Sequence, residues 1–216
     1  ELTAVELTRL MGNGINLGNT MEAYGHASLG TNAAVSSYET LWGQPVTTQE
    51  MITAMKNSGF DTIRIPVAWT NTMNFESGDY TIREDWFARI EEIVGYAINE
   101  NMYVIINDHW DGSWWGMFGS ATAKTRQKAM DMYISMWTQI AERFKNYSDY
   151  LIFESANEEL GDRLNDQDIA KDSGTLSTNE CYEITNKINQ TFVDTVRATG
   201  GNNSQRFLLI AGYGTD

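Results

Sequence analysis

Five short apolar runs, separated by longer segments of helical period, limit what this chain can fold into. The runs occupy residues 14–18, 62–67, 102–107, 150–154 and 206–211. Successive apolar residues along a strand imply burial on both faces, the pattern of a parallel sheet covered by helices. The intervening segments supply those helices. Thr47-Thr48-Gln49-Glu50 reads as a capping box, Thr47 with Glu50, ahead of Met51, Ile52, Ala54 and Met55 and a stop at Gly59. Residues 83–101 set Phe87, Ile90, Val94, Ala97 and Ile98 on one face, and residues 122–146 align Met132, Met136, Ile140 and Phe144. Ser177 with Glu180 opens a last helix that ends at Gly200-Gly201. The stretch from Asn19 to about Pro45 reads as a polar, glycine-containing loop. With no linker or low-complexity tract, residues 1–216 read as a single domain of order βαβαβαβαβ.

A doubly wound open sheet and a (β/α)8 barrel share that order. The open sheet announces itself by a glycine-rich phosphate loop after its first strand. Here Gly12-Asn13-Gly14 precedes the strand instead. The barrel predicts polar residues at the C-terminal ends of successive strands. Asn19, Asp108-His109-Trp110, Asn157-Glu158, and Tyr213 with Asp216 take those places, and Arg64 interrupts the second apolar run. The expectation is therefore an α/β (β/α)8 TIM barrel, of which the chain supplies roughly the first five β/α units.

Charge narrows the partners. The formal net charge is −14, and the 15 Lys and Arg are scattered without a basic patch, which excludes a nucleic-acid binder and favours a neutral substrate. No run approaches about 20 apolar residues, so no membrane partner is expected. Two His and one Cys do not make a zinc site. Cys181 cannot form an intrachain disulfide and reads as a small core residue. Neither metal nor cofactor is expected. The chain begins at Glu1 rather than Met, consistent with a removed leader and an extracellular, secreted protein.

Glu158 is the candidate for acid/base chemistry. A carboxyl at a strand end, walled by aromatic residues, would be partly desolvated and its pKa raised. Asn157 could donate to a sugar hydroxyl or serve only as a turn residue. Arg64, between Ile63 and Ile65, must find a carboxylate or remain an unpaired buried charge. Glu154 is a possible partner. His109 lacks the Ser, Cys or metal-ligand context for triad or zinc chemistry. Three of the seven tryptophans, Trp110, Trp114 and Trp115, fall within six residues among Gly112, Gly116 and Gly119. They could stack on pyranose faces, as could Trp42 and Trp69, or fold inward as a plug. Trp86 and Trp137 fit helix faces and read as core. Carboxylates with aromatics suggest glycoside hydrolysis, which needs two carboxylates. Glu154 and Glu159 are poor second choices, so the second carboxylate stays unplaced.

The segments GINLGNTMEA (14–23), ETLWGQPVTTQEMI (39–52), GFDTIRIPVAW (59–69), YVIINDHWDGSWW (103–115), LIFESANEE (151–159) and, more weakly, LLIAGYGTD (208–216) resemble glycoside hydrolase family 5 cellulases, in the family's order. Within that family the resemblance is to the subfamily rich in endoglucanases and xyloglucan-active enzymes. It implies a (β/α)8 barrel and retaining hydrolysis of β-1,4-glucans. Glu158 then resembles the general acid/base, and Asn157 its neighbour at the sugar 2-hydroxyl. Arg64 resembles the strand-two Arg that supports the nucleophile, His109 the active-site His, and Asn19 a substrate contact. Trp42, Trp110, Trp114, Trp115 and Tyr213 are the further expected substrate contacts. Trp110 departs from the family's second His, and Glu159 from its Pro. The family's nucleophile is a Glu on strand seven. It is expected beyond this chain, in a C-terminal part of the same barrel carried by a separate or unrecorded segment.

Overall fold

A computed structural model describes residues 2–215. Five strands, β1 (Gly14–Asn16), β2 (Thr62–Ile65), β3 (Tyr103–Asn107), β4 (Leu151–Glu154) and β5 (Leu208–Leu209), form one sheet in sequential order. Every neighbouring pair is parallel. A doubly wound sheet reverses its strand order at a switch point. This sheet does not, so it is the wall of a (β/α)8 barrel, five units of it.

Among the described residues seven α-helices accompany the strands: α1 (Ala4–Leu10), α2 (His26–Leu29), α3 (Val35–Glu39), α4 (Gln49–Asn57), α5 (Glu84–Asn99), α6 (Ala123–Phe144) and α7 (Thr178–Ala198). The last four are the crossovers expected from the 3.6-residue period. The Ser177–Glu180 capping box of α7 forms as read. That of α4 does not. Thr48 is the N-cap, accepting from Met51 N, because Thr47 is engaged elsewhere. Thr47 is buried, its N–H donates to Glu39 at 2.8 Å, and its carbonyl accepts from Arg89. The 19–45 stretch is also less loop-like than expected, since it contains α2 and α3. None of the helices among the described residues is long and apolar enough to cross a membrane.

Strand alternation sorts side chains into two layers. Ile63, Ile65, Val104, Ile106, Leu151 and Phe153 point outward into the helix-covered core with Trp86 and Trp137. Tyr103, Ile105 and Ile152 point inward and pack with Leu7 of α1, which closes the bottom of the barrel. The same parity places Thr62 and Arg64 on β2, and Glu154 on β4, on the inner face. Cys181 is buried on α7, as a core residue should be.

The fifth strand is shorter than the 206–211 run because Arg206 turns into the protein. The residue is 1 % exposed, and its guanidinium donates to the carbonyls of Phe144, Tyr147, Ser148 and Leu151 and to Asn203 Oδ1. It also lies over the Phe153 ring at 4.9 Å. Burial pulls its pKa down to about 10, so it stays charged at neutral pH. Replacing it by Met would leave buried carbonyls unpaired. Arg206→Met is expected to lose roughly 3 kcal/mol or more in urea unfolding. A loss within error of zero would show that the carbonyls find other donors.

Candidate active site

The inner face of β2 sets the geometry. Arg64 lies in register with Ile105, and Ile105 with Ile152, so its backbone sits one layer below Glu154. The long side chain spans that step. Nε donates to Glu154 Oε2 and Nη2 to Glu154 Oε1, both at 2.7 Å. Nη2 also donates to Asn157 Oδ1 at 2.8 Å. Burial alone would lower the Arg64 pKa, but the forked pair with Glu154 outweighs it and raises the pKa. The expected partnership of Arg64 and Glu154 is therefore present. Arg64, Glu154, Asn157 and Glu158 line one cavity of about 370 Å³, completed by residues 209–212 and Thr215.

Glu158 opens into that cavity, though not in the aromatic pocket expected. Its side chain is 39 % exposed, and Oε1 accepts from Arg163 Nη1 at 2.5 Å. The buried carboxyl is the next one. Glu159 is 1 % exposed, and its Oε2 accepts the Asn157 N–H at 3.1 Å.

His109 is half-buried after β3. Its N–H donates to Val67 O, and its Nδ1 lies 3.2 Å from Asn107 Nδ2. Burial first, then the charges of Arg64 and Arg163, push its pKa down to about 4. The neutral ring accepts from Asn107 at Nδ1, which leaves its proton on Nε2. Asp108 and Asp111 beside it are fully buried. Trp114 Nε1 donates to Asp108 at 3.2 Å, and Thr70 N donates to Asp111 at 3.1 Å. Burial raises the pKa of both carboxyls, that of Asp108 well above its ordinary value.

The tryptophan cluster folds inward. Trp114 and Trp115 are 0 % and 1 % exposed and stack on each other at 4.4 Å, so neither offers a free face to a sugar. The glycines permit this. A Cβ at Gly112, whose φ is +73°, would lie 2.0 Å from the Tyr24 ring, and one at Gly116 would lie 1.9 Å from the Asp166 carbonyl. Trp69 is likewise buried, its Nε1 donating to Asn107 O at 2.8 Å. Trp110 remains half-buried, edge-on to Tyr24 at 5.5 Å.

The remaining expected contacts disperse. Asn19 is exposed at φ +58°, and its N–H donates to the buried Glu22. Trp42 is 46 % exposed in the turn before α4 and is not among the residues lining the cavity. Tyr213 stacks on Tyr182 at 4.0 Å and donates to Asp162, outside the cavity wall. Asp216 lies outside the described residues. Sequence reasoning missed Arg163, Glu22 and Thr215. Arg163 had a signal, since it is the one cation in the acidic stretch 158–168.

A family model described as "Cellulase (glycosyl hydrolase family 5)" matches residues 24–216. The chain belongs to glycosyl hydrolase family 5. It is 40 % identical to Endoglucanase A of Ruminococcus albus over 213 residues, covering 99 % of this chain and 54 % of that protein. It is 38 % identical to a xyloglucan-specific endo-beta-1,4-glucanase of Bacteroides ovatus, covering 100 % of this chain and 40 % of that one. Among solved structures, a broad specificity endoglucanase of Ruminococcus champanellensis with bound cellotriose superposes with a TM-score of 0.84 at 37 % identity. That match covers 99 % of this chain and 58 % of the other. The chain spans about half the length of the relatives it matches.

The depressed His109 pKa has a definite sign. Between about pH 4 and 6.5 the unfolded chain binds a proton that the folded chain does not, so this residue lowers stability as pH falls through that window. A His109→Asn variant should therefore show a shallower loss of melting temperature on acidification across that window. An unchanged slope would mean that His109 titrates alike in both states.

Proposed function

We propose that these residues form the acid/base-bearing part of a retaining endo-β-1,4-glucanase. The observation that carries this reading is Glu158, held at the end of β4 beside an Asn157 fixed by Arg64, and open to the cavity. In the first step a nucleophilic Glu beyond this chain attacks the anomeric carbon, and Glu158 gives its proton to the departing glycosidic oxygen. In the second, Glu158 takes a proton from water as that water displaces the enzyme carboxylate, and configuration is retained. Asn157 contacts the 2-hydroxyl. Neutral His109 presents its Nε2–H as a hydrogen-bond donor on the β3 side. The substrate is a β-glucan polysaccharide, and the partner is the C-terminal part of the same barrel. A polymer too large to enter a cell fits a secreted enzyme.

A second reading, hydrolysis of xyloglucan by the same steps, is favoured by Trp110. It stands where the family has a second His, and one relative is xyloglucan-specific. Turnover on xyloglucan beside carboxymethyl cellulose separates the two substrates.

Removing an acid hurts most when the leaving group needs a proton. Glu158→Gln in the whole polypeptide should lower kcat/KM on carboxymethyl cellulose by about 10²–10⁴-fold. Its effect on an aryl cellobioside with an activated leaving group should be much smaller in the glycosylation step. Normal turnover of the polymer by this variant would overturn the assignment.

A further inference from the structure

Glu159 follows Glu158 directly, yet it faces the other way. Its carboxyl is buried behind the cavity wall, with Oε2 on the Asn157 N–H and Oε1 without any hydrogen-bond partner. A burial of this kind is unfavourable for an ionised carboxylate, and the family has a proline at this place. Glu159 nevertheless completes a three-sided grip on Asn157. Glu159 holds the backbone N–H, Arg64 holds Oδ1, and Thr215 Oγ1 donates to the carbonyl at 3.2 Å. Among the described residues this leaves the Asn157 amide Nδ2 without an acceptor and free to face the cavity.

We propose that Glu159 is a positioning residue that clamps the Asn157–Glu158 turn from inside the wall and makes that clamp responsive to pH. The proposal rests on the reading of Glu158 as acid/base. The charged and titratable groups that act on Glu159 are Glu158 and Arg163 on its own loop, Arg64 from β2 and Asp108 after β3. Burial raises its pKa, Arg163 opposes the rise, and Glu158 adds to it, to about 7. An ionised carboxylate is the stronger acceptor for the Asn157 N–H. The turn therefore tightens as pH rises through that value.

Glu159→Gln keeps an oxygen acceptor for Asn157 and removes the ionisation. In the whole polypeptide its kcat/KM should match the parent below about pH 6. Above about pH 8 it should fall behind by about threefold, the order of one hydrogen bond's change in strength. Profiles that stay parallel at every pH would reduce Glu159 to a structural residue and overturn the proposal. A measurement independent of activity is the carboxyl ¹³C titration of Glu159. A midpoint of about 7, moving upward in Arg163→Met, supports the clamp; a midpoint in the ordinary Glu range overturns it. Glu158→Gln separates the two failures. If that variant is inactive while the Glu159→Gln profile stays parallel, only the Glu159 proposal falls. If it retains turnover, the acid/base reading falls first.

Discussion

Arg64 on the inner face of β2 is the constraint to which the rest of the site is fitted. A guanidinium there is cut off from bulk water on most sides, and it costs several kcal/mol unless a carboxylate meets it. Glu154 meets it with both oxygens, from two strands away. The contact locks β2 to β4 across β3 and leaves Nη2 a further bond, to Asn157. Asn157 is thereby fixed, and Glu158, next in the chain, must project into the cavity. A lysine could not hold two carboxylate oxygens and an amide oxygen in one plane.

The layering of the sheet explains why such a charge is tolerated. Outward residues are uniformly apolar and covered by helices, so the wall is held by ordinary packing. The lower inward layer is closed by α1 through Leu7. Inward polar groups have partners: Thr62 with the Met11 carbonyl in the lowest layer, Arg64 with Glu154 above it, and at the top Asn107 with His109 and Asp108 with Trp114. The rim loop 111–119 then coils down over this layer, with Trp114 and Trp115 as its packing, and covers the buried Asp108 and Asp111.

Much of this was legible in the sequence, because it depends on local period. The five strands, the four crossover helices, the core roles of Trp86 and Trp137, and the pairing of Arg64 with Glu154 follow from alternation and from the cost of an unpaired charge. The misses are of another kind. Thr47 has the spacing of a cap but is claimed by Glu39 and Arg89, partners distant in sequence. Helices α2 and α3 are too short to show a period. Trp114 and Trp115, clustered in a glycine-containing loop, could on sequence alone either stack on a sugar or fold inward. The glycines allow Tyr24 and Asp166 to approach closely enough to bury the rings. Adjacent Glu158 and Glu159 differ only in the direction each side chain takes, which no local pattern encodes.

Glu158 is proposed as one of two carboxyls acting on opposite sides of a glycosidic bond with retention. The most direct test is a crystal structure of the whole enzyme, read for the distance between the Glu158 carboxyl and the carboxylate that faces it. A separation of about 5–5.5 Å, too close for an intervening nucleophilic water, is the predicted result. A separation of about 9 Å, with room for that water, would contradict it.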